Sequence, residues 1–278
     1  MGSASDVLDA VGHLLPSDQP ITLCETLFEA LKARRRKPVD TPPGDDAKQN
    51  QNSTLERLSW AREYKSAVER FEKPYVHALA DGTTLSLAQR PFTAEGFAST
   101  VWDSAIVLAK ALERLDDAEV AGVRACELGA GCGLPGLVMA ARGAKVVLSD
   151  LADNLPLLEE NCSANAHAFS AHASAPTTCA LAWGASPPAA CAPPFDLLLG
   201  TDLFYARDAM QLLVDTLAAL SGPRTVVWLA AGRNRQAADE FWPRAEERFN
   251  VEVVPRTELD PIYQLTDVDV WRLRLSAE

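Results

Sequence analysis

Residues 127–136 read Glu-Leu-Gly-Ala-Gly-Cys-Gly-Leu-Pro-Gly, and this stretch decides the fold class. It follows the short apolar run Arg124–Leu128 and opens a helical pattern over Pro135–Ala141. Glycines at such a strand-to-helix turn let the backbone turn tightly and approach a ligand closely, while the N–H groups of the first helical turn face that ligand. The stretch therefore predicts a ligand-binding turn at the end of a buried strand.

An acidic residue ends the next predicted strand, Lys145–Ser149. Asp150 follows it, nineteen residues after Gly131, where a carboxylate can accept hydrogen bonds from both ribose hydroxyls of a nucleoside. The spacing Gly131-x-Gly133-x-x-Gly136 also satisfies the dinucleotide fingerprint, so a nicotinamide cofactor stays open at this point. A turn without a ligand is disfavoured, because so many glycines cost unfolded-state entropy for no gain.

Apolar strands and helical segments alternate through the rest of the chain. Five more strands are predicted: 178–183, 196–200, 225–230, 250–254 and 268–275. The predicted helices are 102–115, 135–141, 154–166, 207–220 and 235–249. This order predicts an α/β, Rossmann-like seven-stranded sheet, mostly parallel, with helices on both faces. The last two strands are joined without a helix, which predicts an antiparallel final strand.

The N-terminal part is predicted to be separate from this sheet. Apolar residues at helical spacing predict helices over 7–15, 21–31 and 55–71, and the Pro- and Asp-rich stretch 38–53 predicts a linker. Alternation around Asp81-Gly82 predicts a hairpin of 75–79 with 84–88. We therefore expect an N-terminal helical extension over residues 1–73 and a catalytic domain over residues 74–278.

The chain has 278 residues, 47% of them hydrophobic and 23% charged, as in a globular protein. Its formal net charge of -12 argues against nucleic acid as a partner and favours basic partners. The six cysteines are scattered without a C-x-x-C pair, so no metal site is predicted. No apolar run is long enough to span a membrane, and the N-terminus does not read as a secretory signal. We expect a cytoplasmic monomer, with the nucleus as an alternative compartment.

Four segments, in order, resemble the motifs of family-16 methyltransferases, the seven-strand protein lysine methyltransferases. The first motif is the glycine stretch, with Leu137 after it. The others are Val-Trp-Asp-Ser-Ala-Ile-Val-Leu-Ala-Lys at 101–110, Leu-Ala-Trp-Gly at 181–184 and Phe-Asp-Leu-Leu-Leu-Gly-Thr-Asp-Leu-Phe-Tyr at 195–205. The resemblance covers roughly Pro74 to Leu275. It implies an S-adenosylmethionine-dependent methyltransferase whose acceptor is a lysine side chain of another protein.

The candidate cofactor-binding residues combine the glycine turn with the resemblance. Trp183, at the carboxyl edge of the sheet, presents a flat indole on which an adenine can stack, and Glu127 is a candidate for the cofactor's ammonium. Trp102 is implied by the resemblance, with core packing as its rival role. The complete predicted set is Trp102, Glu127, Gly129, Ala130, Gly131, Asp150, Leu151, Trp183 and Thr201.

The candidate catalytic residues are Asp202 and Tyr205, just after the fourth predicted strand. Methyl transfer from a sulfonium is an in-line displacement that needs an amine with a free lone pair, so positioning and electrostatics dominate. Asp202 can hold the amine by hydrogen bonds, and Tyr205 can wall the channel and orient the nitrogen. The rival role for Asp202 is that of an N-cap for the helix near Arg207.

Three other functions stay open on the sequence alone. A methyltransferase for a small molecule or a protein arginine would use the same cofactor site, although no pair of glutamates that grips a guanidinium is evident. A nicotinamide-dependent oxidoreductase lacks an evident hydride-transfer site. A non-catalytic binding module is disfavoured by the intact glycines, Asp150 and Asp202.

Overall fold

The computed structural model describes residues 58–91, 96–169, 175–233 and 235–276. Contacts within the chain group all of them in one unit, Thr54–Glu278. The predicted helices 7–15 and 21–31 and the predicted linker lie outside the described residues. The proposed domain boundary between residues 73 and 74 stays a prediction.

The elements of the described part of the chain alternate as the sequence predicts. In chain order they are α1 (Ala67–Phe71), β1 (Tyr75–Ala78), β2 (Thr84–Leu87), α2 (Asp103–Leu112), α3 (Asp117–Val120), β3 (Arg124–Leu128), α4 (Leu134–Ala141), β4 (Lys145–Asp150), α5 (Leu155–Ala164), β5 (Thr177–Ala180), β6 (Phe195–Thr201), α6 (Met210–Leu220), β7 (Ser221–Gly232), α7 (Ala238–Glu246), β8 (Phe249–Val253) and β9 (Val268–Leu275). None of these helices has the length and apolar character needed to cross a membrane.

The main sheet has seven strands in the order β5-β4-β3-β6-β7-β9-β8. Strands β3 to β7 pair in parallel, whereas β9 pairs antiparallel with both β7 and β8. The predicted antiparallel final strand is confirmed, because the connection from β8 to β9 contains no helix that could carry the chain back across the sheet. The strand order reverses between β3 and β6, and ligands of open α/β sheets bind at such a point.

Two hydrophobic cores lie on the two faces of the sheet. Helices α2, α4 and α5 cover one face and contribute Leu108, Leu137 and Leu158 to its core. Helices α6 and α7 cover the other face with Leu213 and Phe241. All five side chains are fully buried. Full burial of one such side chain stabilises the folded state by roughly 1.5–3 kcal/mol. The predicted α/β class with helices on both faces is confirmed.

The prediction of one continuous helix over 55–71 is wrong. Within the described residues it is a 3₁₀ turn, Arg62–Tyr64, followed by the separate helix α1. The break lies at Lys65 and Ser66, whose backbones are extended. The Ser66 hydroxyl accepts the N–H of Glu69, whose carboxylate in turn accepts the N–H of Ser66. This capping box starts a new helix, and apolar spacing alone does not reveal it.

The β1–β2 hairpin is tied to the domain by two buried asparagines of α5 and its end. The Asn161 amide accepts the N–H of Ala88 at 2.7 Å and donates to the carbonyl of Cys132 at 3.1 Å. The Asn165 amide accepts the N–H of Ser86 at 2.7 Å and donates to its carbonyl at 2.9 Å. Because Cys132 belongs to the glycine turn, Asn161 joins the hairpin to the predicted ligand site.

We predict that Asn161→Ala lowers the free energy of unfolding by about 2–3 kcal/mol, because it leaves the partly buried N–H of Ala88 and the buried carbonyl of Cys132 without this partner. Urea unfolding followed by circular dichroism measures this. Gln211→Ala is the control, since that amide lies on the exposed face of α6, and its effect should stay within about 0.5 kcal/mol. Equal effects of the two substitutions would contradict the structural role of Asn161.

Candidate active site

The glycine turn after β3 has a conformation that only glycine adopts easily. Gly129 and Gly131 have φ values of 56° and 53°. A Cβ atom on Gly131 would lie 2.8 Å from the carbonyl oxygen of Ala98, which is backbone and cannot move aside as a flexible side chain can. The sequence therefore places glycine where the chain must turn left-handed and pass close to a neighbouring segment.

Three strand ends line one cavity with a volume of about 270 Å³. The glycine turn follows β3, Asp150 ends β4, Thr201 ends β6, and Asp202 and Tyr205 lie in the turn after β6. The register explains why they meet, because Leu128 pairs with Ser149 on one side and with Gly200 on the other. Eight of the eleven predicted site residues line this cavity: Trp102, Gly129, Ala130, Gly131, Asp150, Thr201, Asp202 and Tyr205.

The other three predicted residues lie around the cavity without lining it. Glu127 is fully buried in β3, and Leu151 is 51% exposed. Trp183 lies beyond the end of β5, which stops at Ala180 rather than continuing to residue 183. Its ring centroid is 5.7 Å from that of Tyr205, so it packs against a residue of the cavity wall.

Asp150 is fixed at the cavity edge by three hydrogen bonds of 2.7 Å. Its Oδ2 accepts the N–H of Gly131, and its Oδ1 accepts the N–H of Leu151 and the side-chain amide of Asn154. A carboxylate has roughly four acceptor sites, so capacity remains for a ribose hydroxyl. The carboxylate therefore orients the glycine turn and also offers an acceptor to a nucleoside.

Glu127 lies beneath the glycine turn. Its Oε2 accepts the N–H of Gly136 at 2.8 Å, and its Oε1 is buried without a hydrogen-bond partner among the described residues. Burial, together with the negative charge of Asp150, raises the pKa of Glu127 to about 8, although the Gly136 N–H opposes the shift. An orphaned buried acceptor at this place fits a cofactor that brings an ammonium group, directly or through water.

Asp202 has a left-handed backbone, with φ of 54°, which is uncommon for a residue other than glycine. Its Oδ1 accepts Nε of Arg235 at 2.7 Å and the N–H of Gly232 at 3.3 Å, and its Oδ2 accepts the hydroxyl of Ser104. The helical turn near Arg207 is preceded by Ala206 and has no side-chain cap. The rival role of Asp202 as a helix cap is therefore absent, and its carboxylate binds donors from β7, the loop after it and α2.

Tyr205 follows Asp202 in the same turn and is 57% exposed. Partial burial raises the pKa of its phenol, and the negative charge of Asp150 acts in the same direction. The hydroxyl therefore stays protonated at neutral pH. It can donate or accept one hydrogen bond at the mouth of the cavity, while the ring forms part of the wall.

Two arginines that the sequence analysis did not single out lie over the indole of Trp102. The guanidinium carbons of Arg62 and Arg235 are 4.6 Å and 5.2 Å from the ring centroid. Arg62 also donates to the Thr100 hydroxyl at 2.7 Å and to the Val101 carbonyl at 2.6 Å. Burial lowers the pKa of Arg62 to about 10, with opposing support from Asp103. Both arginines are distant from Trp102 in sequence, so no local pattern signals the contact.

No three His, Cys, Asp or Glu side chains are grouped as metal ligands in the part of the chain that the structure describes. The residues around the cavity instead fit an organic cofactor with a ribose and an ammonium group. Asp150 has acceptor capacity left for a ribose hydroxyl, and the glycine turn lines the cavity with backbone. Glu127 lies behind this turn, where its Oε1 could accept a hydrogen bond from a water that links it to an ammonium group.

Comparison with known proteins identifies the family. The family described as lysine methyltransferase matches residues 79–248. The chain is 34% identical to EEF1A lysine methyltransferase 3 of Xenopus tropicalis, over 54% of this chain and 64% of that protein. It is 32% identical to protein N-lysine methyltransferase METTL21A of Mus musculus, over 67% of this chain and 84% of the relative.

A solved structure shares the fold. The 16S rRNA N2 G1207 methyltransferase RsmC of T. thermophilus, in complex with AdoMet and guanosine, superposes with a TM-score of 0.52 at 22% identity. The superposition covers 73% of this chain and 50% of that one. At this identity the likeness speaks for the fold alone.

The chain belongs to the lysine methyltransferase family. The predicted resemblance is therefore confirmed, and so is the predicted class of enzyme, a lysine methyltransferase with S-adenosylmethionine as its cofactor. The nicotinamide-dependent oxidoreductase is excluded. The roles of the individual site residues stay predictions.

We predict that Asp150→Ala weakens the binding of S-adenosylhomocysteine about 10- to 100-fold, because hydrogen bonds to a charged group contribute roughly 1.5–3 kcal/mol. Isothermal titration calorimetry measures this affinity. Asp153→Ala is the matched control, because that carboxylate is exposed three residues further on, and its affinity should stay within about twofold of wild type. An unchanged affinity in Asp150→Ala would remove this residue from the cofactor site.

We also predict that Glu127→Gln stabilises the cofactor-free protein at alkaline pH. The pKa of Glu127 is about 8 in the folded state against 4.5 for the free side chain, so the folded state binds more protons. Below about pH 4.5 the side chain of Glu127 is neutral in both states, so its ionisation does not destabilise the fold. As the pH rises to about 8, the unfolded state loses this proton before the folded state does, and the free energy of unfolding of wild type falls. The gain of the variant over wild type should therefore grow across this window, by on the order of a few kcal/mol.

Denaturant unfolding at pH 5, 6.5 and 8 tests the effect of Glu127→Gln. Glu247→Gln, on an exposed residue, provides the control and should show no such trend. A gain that is constant with pH would show that Glu127 is ionised throughout.

Proposed function

We propose that the protein transfers a methyl group from S-adenosylmethionine to a lysine side chain of another protein. The observation that carries this proposal is the shared cavity, which Asp150 and the glycine turn line on one side and Asp202 and Tyr205 on the other. One cavity can thus hold a nucleoside cofactor and admit an acceptor side chain. The relatives named as protein N-lysine methyltransferase and as EEF1A lysine methyltransferase support a protein acceptor.

For methyl transfer, the main task of the protein is to position the acceptor nitrogen and the cofactor. The bound cofactor supplies an electrophilic methyl group on a sulfonium, and the acceptor nitrogen must reach it with a free lone pair in line with the breaking bond. Asp202 fixes the turn after β6 through Arg235, Gly232 and Ser104, and Tyr205 walls the mouth of the cavity. These residues orient the amine, and water is displaced as the aliphatic stem enters.

The charge of the chain supports a basic acceptor surface. A formal net charge of -12 attracts lysine-rich surfaces and repels phosphate-rich ones. EEF1A is the first purified acceptor to test, because two relatives carry it in their names. The expected cytoplasmic location and monomeric state stay predictions.

We predict that Asp202→Asn reduces methyl transfer at least about 100-fold while it leaves S-adenosylhomocysteine affinity within a few-fold of wild type. The asparagine keeps the size of the side chain but removes the charge that binds Arg235. Purified protein is incubated with S-adenosylmethionine labelled on its methyl group and either EEF1A or a desalted lysate, and labelled residues are mapped by mass spectrometry.

Asp208→Asn serves as the control for Asp202→Asn, because it makes the same change on an exposed residue six positions later. It should transfer methyl groups as wild type does. Labelled lysine with wild type and the control, but not with Asp202→Asn, supports the proposal. Label on arginine, or only on small molecules, would overturn the protein-lysine acceptor.

A further inference from the structure

Arg235 forms an ion pair with Asp202, the carboxylate in the proposed acceptor part of the cavity. Its Nε donates to Asp202 Oδ1 at 2.7 Å, and the side chains of the two residues are 29% and 9% exposed. Both residues follow strands that lie side by side in the sheet, β6 and β7. The register of these two strands therefore brings the pair together. Asp202 lines the cavity, and Arg235 binds it from behind without lining the cavity itself.

The carboxylates around Asp202 are paired with guanidinium groups. On α2, Asp103 accepts the backbone N–H of Arg62 at 2.9 Å, and the Arg62 guanidinium interacts electrostatically with both Asp103 and Asp202. Two carboxylates thus face two guanidiniums, those of Arg62 and Arg235. Further charged or titratable groups interact with these residues. Asp202 and Asp267 act on Asp103, Arg70 and Cys132 act on Arg62, and Asp150 acts on Tyr205.

Trp102 keeps the two guanidiniums in place. Both lie over its indole, and its Nε1 donates to the carbonyl of Phe97 at 3.0 Å, which fixes the ring. A guanidinium over an indole is favourable because the face of the ring is electron-rich. This contact gives Trp102 a function beside the cavity that does not depend on stacking against a cofactor.

A bare carboxylate at Asp202 would be harmful to methyl transfer. It would bind the acceptor as an ammonium, and an ion pair within about 4 Å favours the charged form of the lysine. A protonated amine has no lone pair to attack the methyl group. Tight binding of the acceptor in that form would improve ground-state affinity and slow the reaction.

We propose that Arg235 is a positioning residue that neutralises Asp202, so that the acceptor lysine enters the site as a free amine rather than as an ammonium ion pair. The inference rests on the proposed function for its biological meaning. One part of it can be measured without methyl transfer: if the guanidinium of Arg235 neutralises Asp202, this carboxylate binds ammonium ions weakly. Arg235 acts through Asp202, without contact of its own with the cofactor or the acceptor.

The first test uses n-butylammonium chloride, which has the length of a lysine side chain, as the probe. Its binding to the protein loaded with S-adenosylhomocysteine is measured at pH 7 by ligand-observed NMR. We expect Arg235→Gln to bind the probe about tenfold more tightly than wild type, because Asp202 becomes available. The double variant Arg235→Gln/Asp202→Asn should lose this gain, whereas Arg235→Lys should bind as wild type does.

The second readout is the pH dependence of methyl transfer to the acceptor that wild type labels. With Arg235→Gln, KM for the acceptor should fall and kcat should fall about tenfold at pH 7. The kcat profile should move to higher pH by about one unit, since the bound amine holds its proton more tightly without the nearby cation. Arg235→Lys should restore both the profile and kcat.

Arg233→Gln is the matched control. Arg233 lies two residues earlier, is 60% exposed and pairs with Asp269 at 2.6 Å, away from Asp202. It should leave probe binding and the pH profile unchanged. Thermal melting of every variant checks that the fold is kept, and if Arg235→Gln does not fold, Arg235→Met in the same two assays takes its place.

The outcomes separate the two proposals. Probe binding that is unchanged in Arg235→Gln, or a gain that persists in the double variant, overturns the role of Arg235. A lower kcat with a higher KM and an unmoved pH profile also overturns it, since that pattern indicates structural support alone. The predicted switch in probe binding without labelled lysine in any acceptor supports the Arg235–Asp202 pair and rejects the proposed function.

Discussion

The pairing of β3 with β4 on one side and with β6 on the other is the constraint on which the site depends. Leu128 is opposite Ser149 in one ladder and Gly200 in the other. The residues that follow in each strand, namely Gly129, Asp150 and Thr201, are therefore side by side at the carboxyl edge. A shift of one residue in either ladder would turn the side chains of the shifted strand to the opposite face and separate Asp150 or Thr201 from the glycine turn.

Burial at this edge sets the electrostatics of both halves of the cavity in different ways. Beneath the glycine turn, one oxygen of Glu127 has no hydrogen-bond partner in the part of the chain that the structure describes, and burial favours the neutral form of this side chain. In the turn after β6, Asp202 receives three donors, one of them a guanidinium. The first carboxyl group can thus accept a further hydrogen bond, whereas the second already receives three. Two acidic side chains near one cavity therefore differ in their capacity to accept a further hydrogen bond from a cation.

The sequence was sufficient for the parts of this arrangement that arise from local patterns. Strands β3 and β9 have their predicted limits, and the glycine turn and Asp150 lie where their spacing indicated. The pairing of Asp202 with Arg235 was not predictable, because 33 residues separate them and only the β6–β7 register brings them together. The break at Ser66 was missed for the opposite reason, since a local capping box prevailed over a continuous apolar spacing.

The contacts of Arg62 reach the cavity wall from outside the range that matches the family. Arg62 precedes the family match, which begins at residue 79, yet its guanidinium binds the Val101 carbonyl and lies over Trp102. Trp102 in turn lies under the guanidinium that holds Asp202. A residue that precedes the matched range thus contacts the same indole ring as the arginine that binds Asp202, so the segment around Arg62 is part of the packing that holds this pair.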